Sequence, residues 1–397
     1  MKVVQINATC SSGSTGKIAL SVSRLLSEEG IENYILYSQG APGGDNTVRF
    51  MQNKEGKVQA LFSRVFGNYG FNSRSATKRV IAELNKIKPE VVHLHNIHSH
   101  DLHLGILFRY FKKNKTKLYW TFHDCWAFTA YCPYFDMVSC EKWKSGCYSC
   151  SQRKQFSWFF DRSVMLYRRK KELFSDLDLT IITPSAWLAD LVSQSFLSDY
   201  PIKVINNGID TDLFRPRESD FREKYALGDR FVLLGVAFGW GKRKGLDVFT
   251  FLAERLDQRF QIVLVGTNDE VDKLLPSNII SIHKTENQET LAEIYSAADL
   301  FVNPTMEENY PTVNMESIAC GTPVLTFQTG GSAEMLDPGC GAVVERGNKE
   351  AMLQAVLDIE KEKPFTKEAC LAKARDFDDM TRYREYMTLY GKNHDKK

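Results

Sequence analysis

Two glutamates separated by seven residues are the strongest chemical signal in this chain. Glu308 and Glu316 lie in residues 304–324, PTMEENYPTVNMESIACGTPV. Glu308 precedes a loop, and we expect Glu316 to lie in the helix that this loop opens. Amides at such a helix start can face phosphate or sugar oxygens, and a carboxylate is a good bidentate acceptor for a ribose diol. The alternative is a solvated helix with two incidental carboxylates, which the full 21-residue context disfavours.

This stretch resembles the Glu-x7-Glu signature of family 4 of the retaining glycosyltransferases, including the trailing Ala-Cys-Gly-Thr-Pro-Val. The resemblance covers nearly the whole chain and is to the polysaccharide-biosynthesis branch (capsule, colanic-acid and O-antigen type). It implies that Glu308 lies at the donor sugar and that Glu316 holds the nucleotide ribose. The intervening donor-binding residues would be Asn309, Tyr310, Pro311 and Thr312.

A basic turn, GWGKRKG at residues 239–245, follows the first predicted strand of the second half. It resembles the family's Arg-Lys-Gly phosphate clamp, which assigns Arg243 and Lys244 to the donor diphosphate. Fixed cations aimed at a departing diphosphate lower the barrier by about a few kcal/mol each. Family members usually carry a further Arg five residues before the Arg of the clamp, where this chain has Phe238. Without the glutamate pair the turn would read as an ordinary solvated charge run.

A glycine-rich turn, SSGSTGK at residues 11–17, follows the first predicted strand. It is not a P-loop, because Ser11 occupies the first glycine position and Ile18 replaces the required Ser or Thr. A turn of this kind at a helix start can still bind an anion. The resemblance places Gly16 at the donor phosphates or the acceptor, whereas the local residues fit a plain tight turn equally well.

Histidines lie at the ends of two predicted strands. His123, in the stretch WTFHD, matches the family's active-site histidine over the donor sugar, although a lone histidine at a strand end is more often structural. Strand alternation would put His93 and His95 on one face, and such a pair could ligate a metal. We interpret them as strand-end residues that line the cleft. Asp124 is the nearest candidate for a general base.

Five of the nine cysteines fall between Cys125 and Cys150. In a reducing compartment such a cluster is more often metal-binding than disulfide-forming. The Cys-x2-Cys pair is a usual zinc half-site. A structural zinc site is slightly favoured over buried free thiols, and its four ligands would be Cys132, Cys140, Cys147 and Cys150.

Two segments mix aromatic residues with cations. They are residues 108–117, FRYFKKNKTK, and residues 158–171, which run from WFF to YRRKK. Such surfaces suit an anionic lipid face, and lysines snorkelling from a solvated helix are an equally good interpretation. The resemblance favours a lipid-linked saccharide acceptor and a protein peripheral to the cytosolic face of a membrane.

These motifs require elements that position them, and the chain alternates short apolar runs with amphipathic stretches. One amphipathic stretch lies between the first two predicted strands, with apolar residues at the spacing of one helix face: Ile18, Val22, Leu25 and Leu26. Such alternation predicts parallel sheets covered on both faces. Strands are predicted at residues 3–6, 34–37, 91–94, 118–122, 179–183 and 203–205, and again at 231–236, 262–265, 279–282, 300–302, 324–326 and 342–344.

The predicted fold is α/β, with two Rossmann-like domains facing across a cleft (GT-B). Residues 1–205 form the acceptor-side domain with a cysteine-rich insert at 125–150, and residues 206–375 form the nucleotide-sugar domain. A C-terminal helix at 376–397 follows, and its return to the N-terminal domain is left open. Ligands in open α/β sheets bind beyond the carboxyl ends of the strands, so the cleft is the expected active site.

The balance of charges in the chain argues against a nucleic-acid-binding protein. Lys plus Arg number 51 against 49 Asp plus Glu, so the overall charge does not point to a nucleic-acid partner. We expect a cytoplasmic enzyme with no cofactor for catalysis, which transfers a sugar from a nucleotide-diphosphate donor with retention. A sugar-nucleotide epimerase on the same scaffold, or a non-catalytic sugar-nucleotide-binding subunit, remains the alternative.

Overall fold

The computed structural model describes residues 1–98 and 100–391. The chain forms two compact units. The first contains Met1–Asn206 and the C-terminal segment that begins at Tyr383, and the second contains Asn207–Arg382. Residues 376–382, which the sequence grouped with a C-terminal helix, thus belong to the second unit, and residues 392–397 lie outside the described part of the chain.

The first unit is built on a seven-stranded sheet with the order β3-β2-β1-β4-β5-β6-β7. Every neighbouring pair in it is parallel. Its strands are β1 (Lys2–Thr9), β2 (Glu32–Gln39), β3 (Thr47–Arg49), β4 (Val91–Leu94), β5 (Lys117–Thr121), β6 (Leu179–Thr183) and β7 (Ile202–Val204). Its helices are α1 (Gly13–Glu28), α2 (Asn53–Phe66), α3 (Arg74–Ile87), α4 (Leu104–Asn114), α5 (Arg153–Phe156), α6 (Ser163–Phe174) and α7 (Ala186–Ser193).

The second unit contains a six-stranded sheet with the order β10-β9-β8-β11-β12-β13, again parallel throughout. Its strands are β8 (Phe231–Val236), β9 (Phe260–Val265), β10 (Ile279–Ile282), β11 (Leu300–Asn303), β12 (Val324–Phe327) and β13 (Gly341–Val344). The helices that follow β7 are α8 (Phe221–Lys224), α9 (Leu246–Ala253), α10 (Asp269–Asp272), α11 (Gln288–Ala297), α12 (Thr312–Ala319), α13 (Lys349–Glu362), α14 (Lys367–Ala374) and α15 (Asp379–Tyr390).

Each sheet reverses its strand order at a neighbouring pair that is not consecutive in the chain. The pair is β1 and β4 in the first unit and β8 and β11 in the second. Loops that leave the carboxyl ends of such strands diverge to opposite faces and open a crevice, where ligands bind in this class of sheet. The glycine-rich turn follows β1, and both the basic turn and the glutamate loop follow the pair in the second unit.

The C-terminal end of α15 packs on the first sheet. The Tyr390 hydroxyl lies 2.6 Å from Nδ1 of His93, and the Tyr386 hydroxyl lies 3.2 Å from Oγ1 of Thr121. The Tyr119 hydroxyl donates to the Leu389 carbonyl. The last described residues, which follow the second sheet in the chain, therefore pack against β4 and β5 of the first sheet.

In one of the two segments expected to face lipid, residues 108–117, the phenylalanines are part of the core. Phe108 and Phe111 lie on the buried side of α4 and are 0% and 1% exposed. They pack edge to face at 5.6 Å. None of the helices in residues 1–98 and 100–391 combines the length and the apolar character needed to cross a membrane.

Candidate functional site

The basic turn and the glutamate loop are hydrogen-bonded to each other in the second unit. The Met306 amide donates to the Arg243 carbonyl at 2.8 Å, and Arg243 Nη1 donates to the Glu307 carbonyl at 3.3 Å. Gly245 has φ +74°, and a Cβ there would lie 2.4 Å from the Pro304 carbonyl oxygen. Only glycine allows this approach, so the turn and the loop form one rigid edge.

An ion pair joins the two predicted functional groups of this edge. Lys244 Nζ lies 2.6 Å from Oε2 of Glu308, and the two side chains are 19% and 17% exposed. The cation assigned to the diphosphate and the carboxylate assigned to the donor sugar are therefore in direct contact. Arg243 and Lys242, in the same turn, are exposed.

Glu316 lies on α12, with its carboxylate in a more enclosed place. The Tyr295 hydroxyl donates to its Oε2 at 3.2 Å. Burial raises the pKa of Tyr295 well above its usual value, and the Glu316 charge adds to that effect. Tyr295 therefore stays protonated and holds the carboxylate as a hydrogen-bond acceptor.

The residues between the two glutamates form the start of α12. Pro311 precedes the first turn, Thr312 opens it, and no side chain caps its amides. The Asn309 carbonyl accepts the Gly331 amide at 2.7 Å, while Tyr310 is buried and desolvation raises its pKa to about 12. Amides at an uncapped helix start provide donors for phosphate or sugar oxygens.

Phe238 has no buried surface at all. It lies two residues after β8, and its side chain is 102% exposed, the highest value among the exposed large apolar residues of the described chain. The position where the family resemblance led us to expect a further arginine therefore presents a bare aromatic ring to solvent.

In the first unit, three histidines stack at the ends of β4 and β5. His93 and His95 have ring centroids 4.1 Å apart, and the His95 and His123 rings stack at 5.5 Å. His93 and His95 are 0% and 1% exposed, so they do not line a surface, contrary to our expectation. Oγ1 of Thr121 and the Tyr390 hydroxyl bind the two nitrogens of His93, which leaves neither for a metal.

Burial keeps these histidines neutral. Desolvation lowers the pKa of His93 to about 3 and that of His123 to about 4, and it lowers the pKa of His95 well below its usual value. The positive charges that neighbouring histidines would carry oppose protonation further. At neutral pH each ring therefore has one N–H and one lone pair.

A buried glutamine fixes which nitrogen carries the proton. Gln5 Nε2 donates to the Ala19 carbonyl at 2.9 Å, so its Oε1 is left to accept from His95 Nε2 at 2.9 Å. A neutral His95 then has its lone pair on Nδ1, which lies 3.2 Å from His123 Nε2. His123 must donate from Nε2, and its own lone pair is on Nδ1.

Asp124 is engaged on both oxygens. Oδ1 accepts the Trp126 amide at 2.9 Å, and Oδ2 lies 3.1 Å from His98 Nε2. Burial raises the pKa of this carboxyl, but the His98 charge and these hydrogen bonds outweigh it, so the pKa is lowered. This arrangement suits a residue that orders the loop after β5 better than a general base.

Gly16 is buried in the first turn of α1, where a Cβ would lie 2.8 Å from Oγ1 of Thr9 and 2.9 Å from the Cys10 carbonyl. Glycine here lets α1 approach the end of β1. No side chain caps the start of α1, and Lys17 is exposed. The turn therefore has a packing reason for its glycine as well as amides that an anion can reach.

The cysteine cluster surrounds one small cavity of about 20 Å³, lined by Cys132, Cys140, Cys147 and Cys150. Burial raises the pKa of Cys132 to about 12 and that of Cys147 to about 11. Within residues 1–98 and 100–391, no three of these sulfurs lie within 4.8 Å of one another. Zinc-bound sulfurs lie about 3.8 Å apart, so the four thiols surround a common space without the spacing of a formed zinc centre.

The neighbouring Lys170 is fully buried, contrary to its expected place on a basic surface. Its Nζ donates to the Trp126 and Thr129 carbonyls at 2.7 and 3.0 Å and lies 3.4 Å from the centre of the Trp126 ring. Desolvation lowers its pKa, whereas the thiol groups of Cys147 and Cys132 are the main influences that raise it.

A cavity of about 1050 Å³ in the second unit lies away from all these motifs. Phe231, Asp299 and Pro323, at the amino ends of β8, β11 and β12, line it. One of its arginines, Arg222, is paired with Asp299 at 2.5 Å. Because ligands of such sheets bind at the carboxyl ends, we place the site at the loops rather than in this cavity.

Comparisons with known proteins agree with this geometry. Residues 15–213 match the family model described as Glycosyltransferase Family 4, and residues 229–362 match that of Glycosyl transferases group 1. WcaC of Escherichia coli (strain K12), named as a colanic acid biosynthesis glycosyl transferase, is 26% identical over 385 residues, which cover 90% of this chain and 89% of WcaC.

Solved structures share the fold. Sucrose-phosphate synthase from Thermosynechococcus elongatus superposes with a TM-score of 0.69 at 16% identity and covers 98% of both chains. Anabaena Alr3699/HepE, solved in complex with UDP-glucose, gives 0.70 at 15% identity and covers 98% of this chain and 99% of its own. The expected GT-B fold is thereby confirmed, and the chain belongs to Glycosyltransferase Family 4.

Proposed function

We propose that this glycosyltransferase moves a sugar from a nucleotide-diphosphate donor to a lipid-linked saccharide, with retention of anomeric configuration, in cell-surface polysaccharide biosynthesis. The observation that carries the proposal is the contact between Lys244 and Glu308 on an edge that continues into α12, the helix that contains Glu316. The name of WcaC supports the polysaccharide acceptor, and the UDP-glucose complex of HepE supports the donor class.

The ion pair suits a donor that carries charge and hydroxyls side by side. A diphosphate within reach of Lys244 would bind the Lys244 ammonium, which would then contact both the diphosphate and Glu308. The Glu308 carboxylate would accept a hydrogen bond from a hydroxyl of the attached sugar. The ammonium opposes the charge that develops as the diphosphate departs. Glu316, held by Tyr295, would accept from the ribose hydroxyls.

The contacts of Asp124, the nearest candidate base to His123 among the described residues, support retention. Asp124 uses both oxygens on His98 and the Trp126 amide. The proton of the acceptor hydroxyl would then pass to a leaving phosphate oxygen, so attack comes from the face of departure. The bond to the leaving oxygen breaks, the bond to the acceptor oxygen forms, and the diphosphate leaves with the proton. The family resemblance assigns His123 to the donor sugar, and burial keeps this ring neutral.

A thermal-shift screen against nucleoside-diphosphate sugars identifies the donor, because a ligand that binds only the folded state raises its melting temperature. NMR of the product made from an α-linked donor then determines the stereochemistry. We expect an α-linked product. A β-linked product would overturn the mechanism.

Glu308→Gln tests the role of the carboxylate, because it keeps the size of the side chain and removes its charge. We expect turnover to fall much more than donor affinity, as for an interaction that matters mainly in the transition state. Loss of donor affinity with unchanged turnover would contradict this assignment.

A further inference from the structure

An exposed apolar surface lies on the first unit, and it includes Trp158, Phe159 and Phe160 from the second segment that the sequence led us to expect at a lipid face. Its members are 42% to 65% exposed and come from α2, from the segment between α5 and α6, and from the first turn of α6. We name it the aromatic face, and it consists of Val58, Leu61, Phe62, Phe66, Trp158, Phe159, Phe160 and Val164.

Backbone contacts hold its two parts together. The Trp158 amide donates to the Arg64 carbonyl at 2.8 Å, in the last turn of α2. Gly67 ends that helix with φ +66°, and a Cβ there would lie 3.2 Å from the Phe160 carbonyl. Phe62 and Phe66 stack on each other at 5.7 Å. The aromatic face is therefore one surface with a fixed backbone.

The concentration of apolar groups is unusual for a surface. Within the described residues, 16 large apolar side chains are exposed, and half of them belong to the aromatic face. A helix on the surface of a globular protein normally turns polar residues outward. Contiguous exposed apolar patches mark sites of interaction with proteins or membranes.

The charge around this surface is strongly positive. Residues 53–66 and 153–171 contain ten Lys or Arg and two Asp or Glu, whereas the whole chain is nearly balanced. Lys170 is the buried exception, and Lys54, Lys57, Arg64, Lys154 and Arg168 are exposed. The two acids are engaged, since Glu55 pairs with Arg79 and Asp161 accepts the Cys150 amide.

We infer that the aromatic face docks the protein on an anionic lipid surface. Trp and Phe side chains insert at the boundary between headgroups and acyl chains, while cations beside them attract anionic headgroups. The combination of bare aromatic rings and surrounding cations fits this partner better than an apolar protein groove, which would leave the cations unpaired. The predicted segment at 108–117 plays no part, because its phenylalanines are core residues.

Sedimentation with vesicles tests the inference without any substrate. The full chain should pellet with vesicles of phosphatidylglycerol and phosphatidylcholine in equal parts, should be released as salt rises, and should bind pure phosphatidylcholine weakly. Replacing both Phe62 and Phe159 by serine should weaken lipid binding about tenfold or more, because their apolar area would no longer leave water. Equal binding of the variant and the wild type would overturn the inference, as would equal binding to neutral vesicles.

Leu274→Ser is the matched control, because Leu274 is 67% exposed and belongs to the second unit. It should bind vesicles like the wild type. All of the substituted side chains are exposed, so unchanged melting temperatures should accompany every result. A fall in self-association measured by ultracentrifugation, with lipid binding unchanged, would assign the surface to a second copy of the chain and overturn the inference.

Trp158 supplies a second readout. Its emission, taken as the difference between wild type and Trp158→Phe, should shift to shorter wavelength when anionic vesicles are added, because the indole leaves water. An unshifted difference spectrum at saturating lipid would contradict insertion. The inference extends the proposed function but fails separately from it, because donor binding in the thermal-shift assay requires no lipid.

Discussion

Protonation of His93 should link the stability of the first unit to pH. The ring is 0% exposed, and burial lowers its pKa to about 3, against about 6.5 in an unfolded chain. The contribution of His93 to the free energy of unfolding is fully present above pH 6.5 and is lost as the pH falls toward 3. Over this range His93 is protonated in the unfolded chain but stays neutral in the folded protein. Between pH 7 and pH 5 the loss amounts to about 2 kcal/mol.

His93→Gln removes this titration and keeps a donor and an acceptor for Thr121 and Tyr390. The variant should be less stable at pH 7, because the fit is imperfect, but it should lose about 2 kcal/mol less than the wild type on moving to pH 5. Urea unfolding followed by tryptophan fluorescence measures this difference. Five of the six tryptophans belong to the first unit, so the signal reports mainly on that unit.

A control with the opposite sign is available in His283. That ring is exposed, and the hydrogen bond that it donates to Asp272 raises its pKa. His283 therefore stabilises the folded protein at pH values below its pKa in the unfolded chain. This contribution is lost as the pH rises through its higher pKa in the folded protein. His283→Gln should therefore not reduce the acid sensitivity of the protein. If His93→Gln were as acid-sensitive as the wild type, the account of His93 as a buried neutral ring would be wrong.

Three further perturbations test the site. Lys244→Ala should lower both the affinity for nucleoside diphosphate, measured by calorimetry, and turnover, with the fold intact. Lys242→Ala is the control, because Lys242 lies in the same turn but is exposed, and it should change both quantities less. Equal effects of the two substitutions would contradict the assignment of Lys244 to the diphosphate. Gln5→Met should lower turnover and change its pH profile with little effect on donor affinity. Methionine offers no acceptor to His95 Nε2, so the proton of His95 could move to Nδ1 and His123 would no longer be held as a donor. An unaltered pH profile would assign Gln5 to packing alone. Elemental analysis of protein purified without added metal should find about one zinc per chain if the four thiols draw together, and stoichiometric free thiols without metal would identify them as separate buried cysteines.

The sheets could be predicted because each strand is a short apolar run. β4, β6, β8 and β10 have the predicted bounds, and the other predicted strands differ at their ends. The strand that was missed, β3, has three residues and pairs only with β2 at the edge of its sheet. Thr47 and Arg49 give it no apolar run to detect. The parallel α/β class and its two sheets were therefore accessible from the sequence, and this edge was not.

The surface was harder to predict than the core. Residues 108–117 looked amphipathic and basic, but Phe108 and Phe111 are three positions apart and so share the inner side of α4. Lys112 and Lys113 lie in its last turn, and cations are favourable near the C-terminus of any helix. A count of aromatics and cations cannot distinguish this arrangement from a lipid face. The positions of the aromatic residues around the helix axis would have distinguished a core-facing helix from a lipid-facing one. The same criterion applies to α2, whose Leu61 and Phe62 are exposed.

The polar partners of the site could not be found from motifs. Gln5 lies 90 residues from His95 in the chain, and Tyr390 lies 297 residues from His93. Each is one ordinary residue in an apolar strand or a C-terminal helix, with no spacing that marks it. Only the strand order, which places β1 beside β4, brings Gln5 to His95. The sequence predicted the groups with obvious chemistry but not those that hold their protons.

The candidate site residues of the two units differ in charge. In the second unit a fixed ammonium, Lys244, is balanced by Glu308 at 2.6 Å. In the first unit, burial keeps His123 neutral, so protonating it at pH 7 would require work against a pKa of about 4. Had His123 been exposed and free to protonate near pH 6.5, the first unit would carry a positive charge just after β5. The buried stack of His93 and His95, with Gln5 fixing its protons, prevents that charge. Replacing Gln5, which contacts His95, should therefore alter turnover through the proton that His123 carries.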